Sequence, residues 1–249
     1  MTRFEMLYLC TLRFEHPLHQ YVHRTIKKIA RGIGGKFRAL DVGGRRSNYT
    51  INVPAEIWIT DVPREREIQK QLDLGATDEI RDNILRRRSN VTEYLYDDMT
   101  RTKLPDGHFA MATAIEVLEH VEEDEVFVAN VARVLQPGGY FVMTTPNGDF
   151  KPKPYPDHKR HYRGAQLEAL LRKYFADVKI EYRVNADALF SYALKRPSMR
   201  APLRTLTSMG AYALNAIRES MGGGGKGPMG KNHLFAVCRK APAEAGARG

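Results

Sequence analysis

The chain has 249 residues, 43% of them hydrophobic and 27% charged. That length supports one α/β domain with a sizeable core, and that composition excludes disordered and collagen-like chains. With 39 Lys and Arg against 29 Asp and Glu the net charge is +10, which brings anionic partners into view.

The two cysteines, Cys10 and Cys238, stand at opposite ends, too few and too far apart for a disulfide framework or a thiolate zinc site. No apolar run approaches the roughly 20 residues of a spanning helix. The stretch Met6 to Leu12 is closed off by Glu5 and Arg13 with no small-residue cleavage site after it, so it does not read as a signal peptide. These features predict a cytoplasmic protein. Charge is unevenly distributed: Asp106 to Phe150 holds eight acids and one base, Lys151 to Arg204 thirteen bases and five acids. The basic segment reads either as a solvated face or as a contact for a phosphorylated substrate, a nucleic acid or a membrane surface.

In chain order, Leu18, Val22, Ile26, Ile29 and Ile33 recur at helical spacing up to Gly34, predicting a helix over 17–33 within an N-terminal helical segment, 1–35. Strands follow at Phe37–Val42 and Glu56–Thr60, then a polar, partly helical stretch to Asp82. Thr92–Tyr96 and Phe109–Ile115 read as the third and fourth strands. Phe127, Val131, Val134 and Leu135 mark a helix closed by Pro137-Gly138-Gly139, and Tyr140–Thr145 a fifth strand broken at Pro146-Asn147-Gly148. Leu167, Leu170, Leu171 and Tyr174 mark a further helix, and Val178–Val184 a sixth strand that closes a core of 36–184.

Residues 185–230 read as a helical lid or insertion with two apolar stripes. One comprises Ala186, Leu189, Phe190, Ala193 and Leu194; the other Leu203, Leu206, Gly210, Ala213, Ile217 and Met221. Lys195, Arg196, Arg200 and Arg204 lie between them, and Gly222–Gly225 forms a linker. A final strand is expected within 231–240 and a disordered tail from 241. Strands alternating with helices imply a mostly parallel sheet covered on both faces.

Four motifs carry chemistry. Asp41-Val42-Gly43-Gly44 ends the first strand, where glycines let backbone approach a ligand. Asp61 ends the second strand twenty residues on, placed to accept both hydroxyls of a ribose. Asp97-Asp98-Met99 ends the third, where an acid and a backbone N–H can meet an adenine. The fourth is Ile115-Glu116-Val117-Leu118-Glu119-His120 running into Arg133-Val134-Leu135-Gln136-Pro137-Gly138-Gly139. A dinucleotide fingerprint is missing, since Arg45 and Ser47 stand where its later glycines belong.

From Phe37 to Val184 plus the last strand, this arrangement resembles the class I S-adenosylmethionine-dependent methyltransferases of the ubiquinone-biosynthesis-like group, above all in its Leu-Glu-His and Arg-Val-Leu-x-Pro-Gly-Gly stretches. The resemblance implies a Rossmann-like α/β fold: a seven-stranded, mostly parallel sheet with helices on both faces and an antiparallel last strand. It implies S-adenosyl-L-methionine as cofactor. Carried over by position, Asp41, Gly43 and Gly44 fall on the first cofactor loop, Asp61 on the ribose, Asp98 and Met99 on the adenine, and Ile115 and Glu116 beside the cofactor. Arg45 and Ser47 depart from the family's usual glycines.

A sulfonium methyl is already activated, so the protein must align an acceptor and, for a hydroxyl, remove its proton. His158 and His161, in the proline-stiffened loop after the fifth strand, are the candidate bases. The expected acceptor is an oxygen or nitrogen of a small-molecule, glycan or lipid-linked compound, with peripheral membrane contact as a further reading of the basic segment. Nucleic acid is disfavoured because the (Asp/Asn)-Pro-Pro-(Tyr/Phe) motif of amino-directed enzymes and a suitably placed nucleophilic cysteine are both missing. One nucleic-acid alternative stays open: Glu116, Glu119, His120 and His158 resemble the metal set of enzymes that methylate a ribose 2′-hydroxyl at the 3′ end of small RNAs. A catalytically silent cofactor-binding module is the non-enzymatic alternative. Methyl transfer is expected to need no metal.

Overall fold

The computed structural model describes residues 1–12, 15–65, 67–71, 74–185, 202–220 and 227–243. The stripe Ala186–Leu194, Lys195, Arg196, Arg200, Met221, the Gly222–Gly225 run and the end of the tail lie outside them.

Helix α1 (Arg3–Thr11) opens on a capping box between Thr2 and Glu5. Glu5 is fully buried and also accepts from the Ser89 N–H and hydroxyl, both at 2.8 Å, so one carboxylate caps the helix and anchors it to the loop ahead of the third strand. Helix α2 (Pro17–Ile33) starts on Pro17, whose missing N–H costs nothing there, and ends at Gly34 with φ +70°. Its buried face is Leu18, Val22, Ile26 and Ala30, as the spacing predicts.

The sheet comprises β1 (Arg38–Val42), β2 (Glu56–Asp61), β3 (Val91–Tyr96), β4 (Phe109–Ile115), β5 (Leu135–Pro146), β6 (Asp177–Asn185) and β7 (Lys231–Arg239). The order is β3-β2-β1-β4-β5-β7-β6. Pairings β1–β2, β2–β3, β1–β4 and β4–β5 are parallel, while β7 runs antiparallel to both neighbours.

Two helices, α3 (Glu67–Gln71) and α4 (Asp78–Arg87), separate β2 from β3; α5 (Asp124–Val134) and α6 (Gly164–Arg172) flank β5. Two apolar clusters cover the two faces. Phe109, Phe127, Val131, Phe141, Leu167 and Leu171 join α5 and α6 to one face, and Leu18, Val22, Ile57, Ile59, Met111 and Val142 join α2 to the other. Phe141 and Val142 fall in different clusters, the alternation a doubly covered strand requires. In the connection from β6 to β7, α7 (Pro202–Ser220) packs against α2 and buries Ser208 and Ala211. Among the described residues no helix is long and apolar enough to cross a membrane.

Candidate active site

Strand order reverses between β1 and β4, because the chain builds β2 and β3 to one side of β1 and returns on the other. The loops leaving β1 and β4 therefore diverge and open a crevice at the carboxyl edge, the usual ligand position in such sheets. A cleft of about 780 Å³ lies there, lined by Gly43 after β1, Asp61 at the end of β2, Asp97–Met99 after β3 and Ile115–Val117 after β4.

Gly43 has φ +69°, and a Cβ on it would stand 2.7 Å from the Val117 side chain; the glycine keeps the first loop thin where it meets the fourth. Asp61 is buried and accepts from the Val62 N–H at 2.9 Å, while its Oδ2 has no hydrogen-bond partner among the described residues. Burial raises its pKa, opposed by the Arg45 guanidinium, by backbone N–H groups and by Arg64. Asp97 likewise carries a buried, unpartnered Oδ2, and its N–H donates to the Asp61 carbonyl at 3.0 Å. Two buried, unpartnered carboxylate oxygens thus belong to residues that line the cleft at neighbouring strand ends.

Asp98 also lines the cleft, but its oxygens are engaged: Oδ1 accepts from the Thr100 N–H (3.0 Å) and hydroxyl (2.8 Å), and Oδ2 pairs with Arg101 at 3.0 Å. Burial pushes its pKa up, but these bonds prevail and hold it low. Of the adjacent pair of acids, Asp97 is the one with an oxygen to offer. Met99 is buried on the cleft wall, its carbonyl held by Asn130 Nδ2 at 2.8 Å.

Asp41 and Gly44 support the cleft from behind rather than lining it. Asp41 is fully buried and accepts from Thr113 Oγ1 (2.7 Å) and the Tyr49 hydroxyl (3.0 Å); burial pushes its pKa up to about 6. A Cβ on Gly44 would stand 2.9 Å from both Asp41 Cγ and Ile59 Cγ2, so this glycine serves packing.

Glu116 adopts φ +56°, a setting that strains a non-glycine backbone. Its N–H donates to the Thr144 carbonyl (3.2 Å), its Oε1 accepts from the Thr144 hydroxyl (2.7 Å), and His233 Nδ1 lies 3.3 Å from Oε2. Burial works to raise its pKa, but His233 and Thr144 outweigh burial and hold it at about 2.

The imidazoles fall into two groups. His16 and His19 of α2 and His233 of β7 gather on one side of Glu116, with ring centroids 5.6 Å apart for His16–His19 and 6.1 Å for His16–His233. Burial, then His19 and His233, push the His16 pKa down to about 3. On the other side stand His120, His158 and His161. His161 Nδ1 lies 2.7 Å from the Lys151 carbonyl, which can only accept, so Nδ1 carries the proton. Its Nε2 then accepts from His158 Nδ1 at 2.9 Å, leaving His158 Nε2 with a lone pair. His120 Nδ1 donates to the Asp157 carbonyl at 3.0 Å, leaving Nε2 with another.

Glu119, fully buried, has Oε1 without a partner, and burial drives its pKa well above the carboxylate range with Glu116 adding to the effect. One ligand atom from each of Glu119, His120 and His158 lies within 4.8 Å of the others. Of the four residues in the sequence-derived metal set the structure brings these three together and ties Glu116 to His233 instead.

Among the described residues the imidazoles on the cleft wall are His19 and His120. His158 and His161 stand behind His120, in a loop strapped down by the Lys159 N–H to the Glu119 carbonyl (2.7 Å) and the Tyr162 hydroxyl to Asp124 (2.6 Å). Sequence reading missed His19, Tyr49 and Asp97 as wall residues. His19 lies far from every motif in the chain; Asp97 was visible as half of an Asp-Asp pair whose halves only the turn at Thr100 distinguishes.

A family profile described as a methyltransferase domain matches residues 70–143. A fatty-acid O-methyltransferase of Mycolicibacterium smegmatis is 33% identical over 94 residues, 36% of this chain and 33% of that protein. A SAM-dependent methyltransferase from Archaeoglobus fulgidus superposes with TM-score 0.56 at 16% identity, covering 89% of this chain and 94% of that one. Residues 70–143 of the chain thus match a methyltransferase domain, and the chain has the fold of that solved structure. Its fold is shared more widely: the [4+2]-cyclase SpnF superposes with TM-score 0.55 at 18% identity over 89% of this chain and 81% of that one. The chain matches about a third of that curated relative's length. The matched profile begins after Asp61 and stops within β5, so the Gly43 loop, α2 and the His158 loop lie outside it.

Proposed function

We propose that this protein binds S-adenosylmethionine in the crevice at the carboxyl edge and transfers its methyl group to an oxygen or nitrogen of a small-molecule, glycan or lipid-linked acceptor. The observation that carries the reading is the buried, unpartnered Oδ2 of Asp61, with that of Asp97 beside it: acceptors with no donor among the described residues suit the hydroxyls and amino group of an adenosine. Bound there, the cofactor supplies an activated methyl. Asp61 holds the ribose, the thin Gly43 loop admits the chain of the cofactor, and Met99 walls the adenine. Ionised Glu116, fixed by Thr144 and His233, sits where a cationic ligand is favoured.

Proton removal from a hydroxyl acceptor falls to the His120–His158–His161 group. His161 fixes the tautomer of His158, and the Asp157 carbonyl fixes that of His120, so each presents an unprotonated Nε2. Formation of S-adenosylhomocysteine with a panel of hydroxy, carboxylic and amino acceptors tests the reading; cofactor binding with turnover of none of them would leave the silent-module alternative, and no cofactor binding would overturn both.

A second reading is favoured by one observation, the proximity of Glu119, His120 and His158 around the unpartnered Glu119 Oε1. These three residues would hold a divalent cation that polarises a ribose 2′-hydroxyl of RNA. On the first reading activity survives EDTA. Loss on chelation with recovery in Mg²⁺ or Mn²⁺ moves the RNA reading ahead.

A further inference from the structure

Helix α7 turns its narrow side inward and its apolar side outward. Ser208 and Ala211 are buried, whereas Leu203, Leu206, Leu214 and Ile217 are 79%, 64%, 54% and 53% exposed. With exposed Gly210, these positions fall within about 80° of arc on a helix of 3.6 residues per turn. They form one continuous outward stripe, the opposite of the inward packing that an apolar helical stripe usually signals. Arg204 and Arg218 stand exposed on one flank, near either end.

We propose that this face of α7 docks the protein on the interfacial layer of an anionic phospholipid bilayer. An apolar stripe flanked by cations is the pattern of a helix lying in the headgroup region, its apolar side about 5–10 Å deep. The charge is complementary: the chain carries +10, and the charged residues beside the stripe are the cations Arg204 and Arg218. The area speaks against a second copy as occupant. Four such side chains offer on the order of a few hundred Å², under the roughly 800 Å² per partner of a stable protein interface.

Position gives the contact a use. α7 packs against α2, and α2 carries His19 on the cleft wall, so the docked helix borders an element that bounds the cleft. An acceptor with a lipid tail could reach the site without leaving the bilayer surface.

Co-sedimentation of the full chain with phosphatidylcholine vesicles, with and without phosphatidylglycerol, at low and high salt, tests the surface directly. Vesicle binding reads neither cofactor nor acceptor, so its outcome is separate from that of the methyl-transfer reading. The expected result is binding to anionic vesicles at low salt, weakened at least about tenfold by Leu206→Glu with Ile217→Glu. Arg204→Gln with Arg218→Gln should weaken it less and flatten its salt dependence. Leu203→Glu, at the most exposed position, gives the same reading should the double variant unfold. Three results would overturn the proposal: no vesicle binding at low salt, binding indifferent to the stripe substitutions, or a concentration-dependent dimer that the same substitutions dissolve.

Discussion

Two buried aspartates in this cleft show how position along a strand decides what a carboxylate does. Asp61 lines the cleft and keeps a buried oxygen without a partner, and Asp41 is wrapped by Tyr49 and Thr113 behind it. Asp61→Ala removes a charge-assisted acceptor, a loss of about 1.5–3 kcal/mol, so the dissociation constant for S-adenosylhomocysteine should rise at least about tenfold in a calorimetric titration. Because burial raises the Asp61 pKa, wild-type affinity should also fall on acidification at a higher pH than an exposed aspartate would give, and Asp61→Ala should abolish that dependence. For Asp41 the linkage concerns stability. Its folded pKa of about 6 lies above the ordinary 3.8, so the folded state binds more protons in that window. Stability should therefore decline by up to about 3 kcal/mol as pH rises from 4 to 6. Asp41→Asn keeps the oxygen that accepts from Thr113 and Tyr49 and removes the titration. Its thermal midpoint should fall below that of the wild type near pH 4.5 and approach or exceed it at pH 7.5.

The β1 loop couples packing to the cleft through adjacent glycines with different duties. Gly43 keeps a left-handed turn clear of Val117, and Gly44 lets Asp41 and Ile59 close beneath it. Gly44→Ala should overpack that contact and lower stability by about 1–3 kcal/mol, read in a urea titration, with cofactor affinity changed less than in Asp61→Ala. The strands were legible in the sequence because each is a short apolar run between turn residues, and α2 because its buried face repeats at helical spacing. Helix α1 was harder to read: Glu5, the residue that fixes it, finds Ser89 across 84 positions. Of the site, Gly43, Asp61, Asp98, Met99, Ile115 and Glu116, carried over by motif and family resemblance, line the cleft. Asp41 and Gly44 were assigned to the ligand loop but support it from behind, since local sequence fixes the loop and not the pairing of Asp41 with Thr113. The His120–His158 pairing depends on a loop folding back over α5, which no spacing encodes.

At the scale of the whole molecule, the sheet order places the cleft-lining strand ends on one edge, and α2, on which α7 packs, contributes His19 to the cleft wall. Ligand binding there should stabilise the whole domain: S-adenosylhomocysteine at 100 times its dissociation constant adds about 2.7 kcal/mol and should raise the melting temperature by roughly 5–10 °C. NAD should leave it unchanged, since the dinucleotide glycines are missing. The measurement that bears most directly on the account is isothermal titration of the full chain with S-adenosylhomocysteine. The account predicts saturable binding at one site per chain, weakened at least about tenfold in Asp61→Ala. A titration without saturable heat at any temperature, or equal affinity in wild type and Asp61→Ala, would contradict it.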